Sequence, residues 1–367
     1  MTSWEGSPCT RRLFLRLVTV GGGTALLQAC APSQPSPTVA PSKPAEAQPA
    51  APATSPTGAP GAAPSTKPAG PMTQIRISAF NPPSAGAFLP PIIKERQFDK
   101  ENGLDLEFVY KPSNTYNVDF AAGQDLVGGS SALISEARRV NEGVPVRYLF
   151  NVFTFYAAVL TEQPDIQTLK DLEGKSLAAD TVTTAWAMMQ FFMGKAGVDL
   201  SKTQIQSQQT AGMVALLQAK RIDAVATTEP TVSVILNQGP NFRPIPVFDP
   251  NVWRTMAGDE PVGYLGVSAH TRWIEANRDA VPRLMAAYAA AVKFGNENSG
   301  DAARIISEAN KLEPKAIEDA IKAGRMGFEV APASKLKRSV EAVLEAAMEA
   351  KQIDKRPRVE ELIYDGL

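Results

Sequence analysis

The side chains this protein lacks exclude most catalytic chemistry. Of its 367 residues, one is histidine and two are cysteine. The cysteines, Cys9 and Cys30, both sit in the opening segment, so the rest of the chain has no thiolate nucleophile, disulfide or cysteine metal site. His270 stands alone, which removes histidine pairs for proton transfer and histidine clusters for metal. Hydrogen bonding by hydroxyls, carboxylates and backbone remains. Gly129-Ser130-Ser131 lies where a strand meets a helix, where free N–H groups and hydroxyls either hold an oxygen-rich group or cap the helix. Thr183 and Thr184 open a second helix and offer the same donors, with Asp180 just before them as a carboxylate or a cap. Glu229 ends a strand in "TTEP", just before Pro230; it either accepts from a ring N–H or amino group, or bonds nearby backbone or a hinge partner.

Elements must position these groups. "QIRISAF" (74–80), "LDLEFVY" (104–110) and "DLVGGSS" (125–131) read as strands. "GAFLPPIIKERQFDKENG" (86–103) and "ALISEARRVNEG" (132–143) read as helices, with Pro90-Pro91 setting an early turn. "PVRYLFNVFTFYAAVL" (145–160) is a long β-rich stretch. Alternation puts its Phe153 and Phe155 on one face, and with Tyr156 they pack a hinge or line a cleft. The rhythm repeats: strands end "LKDLEGKSLAAD", fill "TQIQSQ" and "DAVATTEP", and recur at "YLGVSA". Helices cover "TTAWAMMQFFMGKAG", "MVALLQAKRI" and most of 272–351. Strands alternating with helices argue for an α/β fold with mostly parallel sheets. "AAGQDLVGGSS" and "LQAKRIDAVATTEP" echo each other, as two similar lobes would, and the ligand site of such a fold lies at strand carboxyl ends between the lobes.

The opening segment sets location. Arg11 and Arg12 form a basic region, and Leu13–Leu27, interrupted by Arg16 and Gly21–Gly23, an apolar one. That run is short of the about 20 apolar residues a membrane span needs. It resembles a twin-arginine export signal, and Leu27-Gln28-Ala29-Cys30 resembles a lipobox, after which Cys30 carries lipid. Residues 31–71 are nearly all Ala, Pro, Ser, Thr and Gly and read as a disordered tether. The expected plan is a signal over 1–29, lipidated Cys30 and tether over 30–72, one lobe from 73–155 plus 262–367, and a second from 156–261. The folded part then sits on the outer face of the cytoplasmic membrane. The net charge of −1, without a basic stripe, argues against nucleic acid.

"PPIIKERQFDKENGLDLEFV", "AAGQDLVGGSSALISEARRVNEGVPVRYL", "IQTLKDLEGKSLAAD" and "ALLQAKRIDAVATTEP" carry a family likeness. The folded part resembles substrate-binding proteins of ABC importers, in the family that binds thiamine-pyrimidine precursors, riboflavin, alkanesulfonates, taurine and nitrate. The resemblance implies a two-lobed type II periplasmic-binding fold, no catalysis, no cofactor, no metal and a monomer. It also implies a small-molecule ligand, an ABC permease and its ATPase as partners. Carried over by position, the cleft contacts are Phe80, Asn81 and Ser84; Gly129, Ser130 and Ser131; Asp180, Thr183 and Thr184; Glu229; and Tyr264 from the return crossover. Phe80 is suited to ring stacking or to the core. None of these stretches contains Arg or Lys, so an aromatic or heterocyclic ligand, such as a thiamine-pyrimidine precursor or riboflavin, is expected. The alternative is a sulfonate, taurine or nitrate held at Ser130, Ser131, Thr183 and Thr184. A related fungal pyrimidine synthase needs a Cys-rich motif, a histidine and a lysine, and this chain departs from that pattern. A ligand-presenting sensor shares the same site chemistry.

Overall fold

Residues 71–367 are described by a computed structural model, within one compact unit, Pro64–Leu367. The export signal, Cys30 and nearly all of the tether lie outside the described residues.

The chain begins with β1 (Thr73–Phe80), whose alternation buries Ile75, Ile77 and Ala79. The helical run that follows is split into α1 (Leu89–Glu95) and α2 (Phe98–Glu101), because Gln97 adopts a left-handed φ of 59°. Then come β2 (Leu104–Lys111), α3 (Ser113–Ala121), β3 (Val127–Ala132), α4 (Leu133–Asn141) and β4 (Val146–Phe153). Residues 154–156 cross to a second sheet: β5 (Ala157–Thr161), β6 (Ser176–Ala179), α5 (Thr184–Lys195), β7 (Gln204–Ser207), α6 (Thr210–Gln218), β8 (Ala224–Thr228), α7 (Thr231–Leu236), β9 (Arg243–Pro246) and α8 (Pro250–Ala257). The chain returns through β10 (Leu265–His270), α9 (Thr271–Ala276), α10 (Ala280–Glu297), α11 (Ser299–Asn310), α12 (Pro314–Lys322), β11 (Phe328–Pro332), α13 (Lys337–Glu349) and α14 (Val359–Leu362).

The first sheet has the order β11-β4-β10-β3-β1-β2 and the second β7-β6-β8-β5-β9. Both are mixed, which corrects the expectation of mostly parallel sheets. β1 pairs in parallel with β2 and β3, and β6 with β7 and β8; β10 and β11 in the first sheet, and β5 in the second, pair antiparallel with their neighbours. The crossovers explain this. β1, β3 and β4 end on the side facing the other sheet, so a strand re-entering from there runs the opposite way. β10 does this between β3 and β4, and β11 does it at the sheet edge, where Phe328 pairs with Phe153.

The long β-rich stretch is therefore two strands in two sheets. Phe153 packs on Phe328 with ring centres 5.5 Å apart, whereas Phe155 stacks on Phe192 of α5 at 6.0 Å. The two rings belong to different cores and do not share a face, because β4 stops at Phe153. One core lies between the first sheet and α1, α10 and α11. Another joins α5 and α8 to α13, which also packs on α4. Helix α13 thus packs on elements attached to both sheets.

Candidate functional site

Between the sheets lies a cleft of about 520 Å³. Its first wall is built on strand ends. Phe80 closes β1, and its backbone N–H donates to Ser130 Oγ at 2.9 Å. Ser84 Oγ donates back to the Phe80 carbonyl at 3.3 Å. The Phe80 ring meets Tyr116 edge-on at 4.8 Å, and the residue also lines the cleft. Ser130 lines the cleft, but its neighbours do not. Gly129 sits where a Cβ would meet Ile77 at 2.9 Å and Tyr288 Oη at 3.0 Å, so its role is packing. Ser131 is fully buried and bonds Tyr116 Oη at 3.0 Å. Neither serine caps α4, whose N-cap is Ala132, since β3 runs through both. Asn81 is exposed, its N–H bonded to the Lys111 carbonyl, and does not line the cleft.

The opposite wall comes from the second sheet. Thr183 is the N-cap of α5: its Oγ1 accepts from Trp186 N at 3.2 Å and donates to the Asp180 carbonyl at 2.8 Å. Asp180, Thr183 and Thr184 all line the cleft at this helix start. Burial pushes the Asp180 carboxyl up, partly countered by the Val182 N–H. Thr227, Thr228 and Glu229 extend this wall from the end of β8. Glu229 is not a free acceptor. Its Oε2 accepts from Ser233 N at 3.0 Å and its Oε1 from Arg325 Nε at 2.8 Å. Tyr264, on the return crossover, also lines the cleft, and burial pushes its phenol up to about 12. Phe153 and Phe155 are core residues, and Tyr156 is half-buried beside the crossover; none of the three lines the cleft.

The residues that sequence reasoning missed change the electrostatics. Helix α4 brings Arg138 and Arg139 to the cleft, and the start of α3 brings Ser113, Asn114 and Asn117. The expectation of a cleft without cations is therefore wrong. Arg139 is 5% exposed and packs over the Phe120 ring at 5.1 Å; it donates to Glu136 Oε1 at 2.5 Å and Asn117 Oδ1 at 2.6 Å. Burial pushes the Glu136 carboxyl up against the pull of Arg139. Arg138 Nε donates to the Gln352 carbonyl at 2.7 Å, tying α4 to the end of α13. Both arginines were visible in "ALISEARRVNEG", but which helix face meets the cleft depends on how α4 packs. The α3 signal was weaker: only Tyr116 and Phe120, four residues apart, are buried in it.

Two mixed sheets, joined by crossovers and facing each other across a cleft at their strand ends, define a two-lobed type II periplasmic-binding fold. Residues 92–302 match the family described as NMT1/THI5 like, and the chain belongs to that family. Among solved structures it is similar to the periplasmic aliphatic sulphonate binding protein SsuA from Escherichia coli, with 17% identity and a TM-score of 0.64 over 80% of this chain and 98% of that one. It is similar to the alkanesulfonate-binding protein SsuA from Xanthomonas axonopodis pv. citri bound to MOPS, with 16% identity, a TM-score of 0.64, and 81% and 99% of the two chains covered. The periplasmic nitrate-binding protein NrtA from Synechocystis PCC 6803 aligns at 16% identity and a TM-score of 0.58, covering 80% and 86%. A comparison with curated proteins found no match. The solved structures that share this fold are described as sulphonate-, alkanesulfonate- and nitrate-binding proteins. Among the described residues, no group of three or more His, Cys, Asp or Glu could hold a metal ion.

Proposed function

We propose that this protein is the extracytoplasmic solute-binding component of an ABC importer, and that its cleft takes a small oxygen-rich anion of the sulfonate or nitrate class. The observation that carries this is the donor set of the cleft. Ser130, the Thr183–Thr184 helix start and Arg138–Arg139 line the cleft from both walls. A helix N-terminus and charge-assisted donors favour negative charge there. Sulfonate- and nitrate-binding proteins among the similar structures support the reading. In it the lobes, 73–155 plus 262–367 and 156–261, close by hinge motion and dock on a membrane permease served by its ATPase. Export and a lipid on Cys30 keep the monomer at the outer face of the cytoplasmic membrane.

One observation favours a second reading. Phe80 lines the cleft and could stack on a ring, as a thiamine-pyrimidine precursor or riboflavin would require.

A thermal-melt panel on residues 73–367 separates the two. A ligand at about 100 times its Kd adds about 2.7 kcal/mol of stability, a rise of several degrees. Propanesulfonate, taurine or nitrate is expected to raise Tm, and Thr184→Val to remove most of the rise. A rise with the pyrimidine or riboflavin alone would overturn the anion reading.

A further inference from the structure

The cleft wall carries two carboxylates that would oppose an anion: burial pushes the Asp180 carboxyl up, and the fold covers Glu229 from the other lobe. Glu229 directly follows β8 in the second sheet, with its side chain only 7% exposed. Arg325, 96 residues further along the chain, lies between α12 and β11 of the first lobe, and its side chain is 15% exposed. Its Nε reaches Glu229 Oε1 at 2.8 Å, and its second amino group reaches Ser233 Oγ at 3.3 Å. Ser233 N completes the set on Oε2 at 3.0 Å.

Local backbone places Arg325 there. Gly327 has a φ of 62°, and its carbonyl accepts from Thr154 N at 2.8 Å. A Cβ at Gly327 would collide with the Thr154 carbonyl, so glycine lets the α12–β11 connection lie directly on the first crossover. Arg325 is two residues before this contact and projects beyond the crossover to the end of β8. It does not line the cleft itself.

The geometry points to Arg325 as a specificity-determining positioning residue: it neutralises Glu229 from the opposite lobe, so that this cleft wall admits an anion. This deepens the anion reading and rests on it. A carboxylate left unpaired at the wall would repel a bound anion and attract a cation, by at least about tenfold in affinity at the short distances of a cleft.

Calorimetric titration of residues 73–367 with propanesulfonate and propylammonium tests it in four proteins. Arg325→Met is expected to weaken propanesulfonate at least tenfold. Arg325→Met with Glu229→Gln should return it to within about threefold of wild type, and Arg325→Lys should rescue most of the affinity because the charge is kept. An undiminished affinity in Arg325→Met, or a loss that the double variant does not relieve, overturns the proposal. If wild type binds none of the anions, the anion reading fails. The masking of Glu229 is then read from propylammonium, which Arg325→Met should gain and the double variant should lose; no gain overturns it. Should Arg325→Met not fold, Glu229→Gln alone decides. With Arg325 freed of its partner, propanesulfonate should tighten and propylammonium weaken, and no change or the reverse overturns the proposal.

Discussion

His270 is the only histidine in the chain, and it is buried at the end of β10. A ring nitrogen lies 2.6 Å from the Phe120 carbonyl, and the ring meets Phe120 edge-on at 5.1 Å. Burial pushes its pKa down; the carbonyl pulls upward, while Arg272 and Arg139 add to the fall. The sign follows from linkage. With a folded pKa below the unfolded value of about 6.5, the unfolded chain binds the proton more readily, so stability is present above that value and lost as pH falls through the folded pKa. Melting temperature should therefore fall as pH drops below about 6.5, and His270→Gln should flatten that fall. An equal slope in both proteins would assign it elsewhere. At this scale the sequence offered Asp180 as the cap of α5, whereas Thr183, three residues later, is the residue that accepts from Trp186 N. It did not expose Ser131 as a core residue, since a hydroxyl that bonds Tyr116 has the same letter as one that faces solvent.

Among the elements, β10 is the most constrained. It runs antiparallel between β3 and β4, and a Cβ on Gly266 would overlap the Phe150 carbonyl and the Tyr148 hydroxyl. Gly266→Ala should cost more than about 2 kcal/mol, because backbone cannot retreat there. Gly194, exposed in α5 with nothing within 4 Å of an added Cβ, is the control: Gly194→Ala should stabilise by about 0.5–1 kcal/mol. Urea unfolding of both variants checks the pair. Legibility differed in the same way. α10 and α13 carry one-sided apolar patterns and were readable as helix. β9 contains two prolines in four residues, and β11 ends in one; both are edge strands, which tolerate such residues but give no alternating signal.

At the scale of the whole molecule, the lobes meet through a few specific links. Glu229 bonds Arg325, and α13 packs on both α4 and α5. In the proposed function, ligand binding closes the lobes about these links. X-ray scattering should show the radius of gyration of residues 73–367 falling when a sulfonate is added at saturation, and no change would remove hinge closure from the mechanism.

The sequence by itself determined what local composition and periodicity encode: a basic and apolar leader with a cysteine, a Pro/Ala-rich tether, alternating strands and helices, and small polar residues at strand ends. Those properties depend on neighbours within a few residues, so the letters suffice. The tertiary structure decided which way β10 and β11 run, which face of α4 turns Arg138 and Arg139 to the cleft, and that Glu229 is paired with Arg325 rather than waiting for a ligand. Each depends on a crossover bringing together segments far apart in the chain, and charge pairing acts across space regardless of sequence separation. The same crossovers that reverse the strands therefore also set the charge of the cleft.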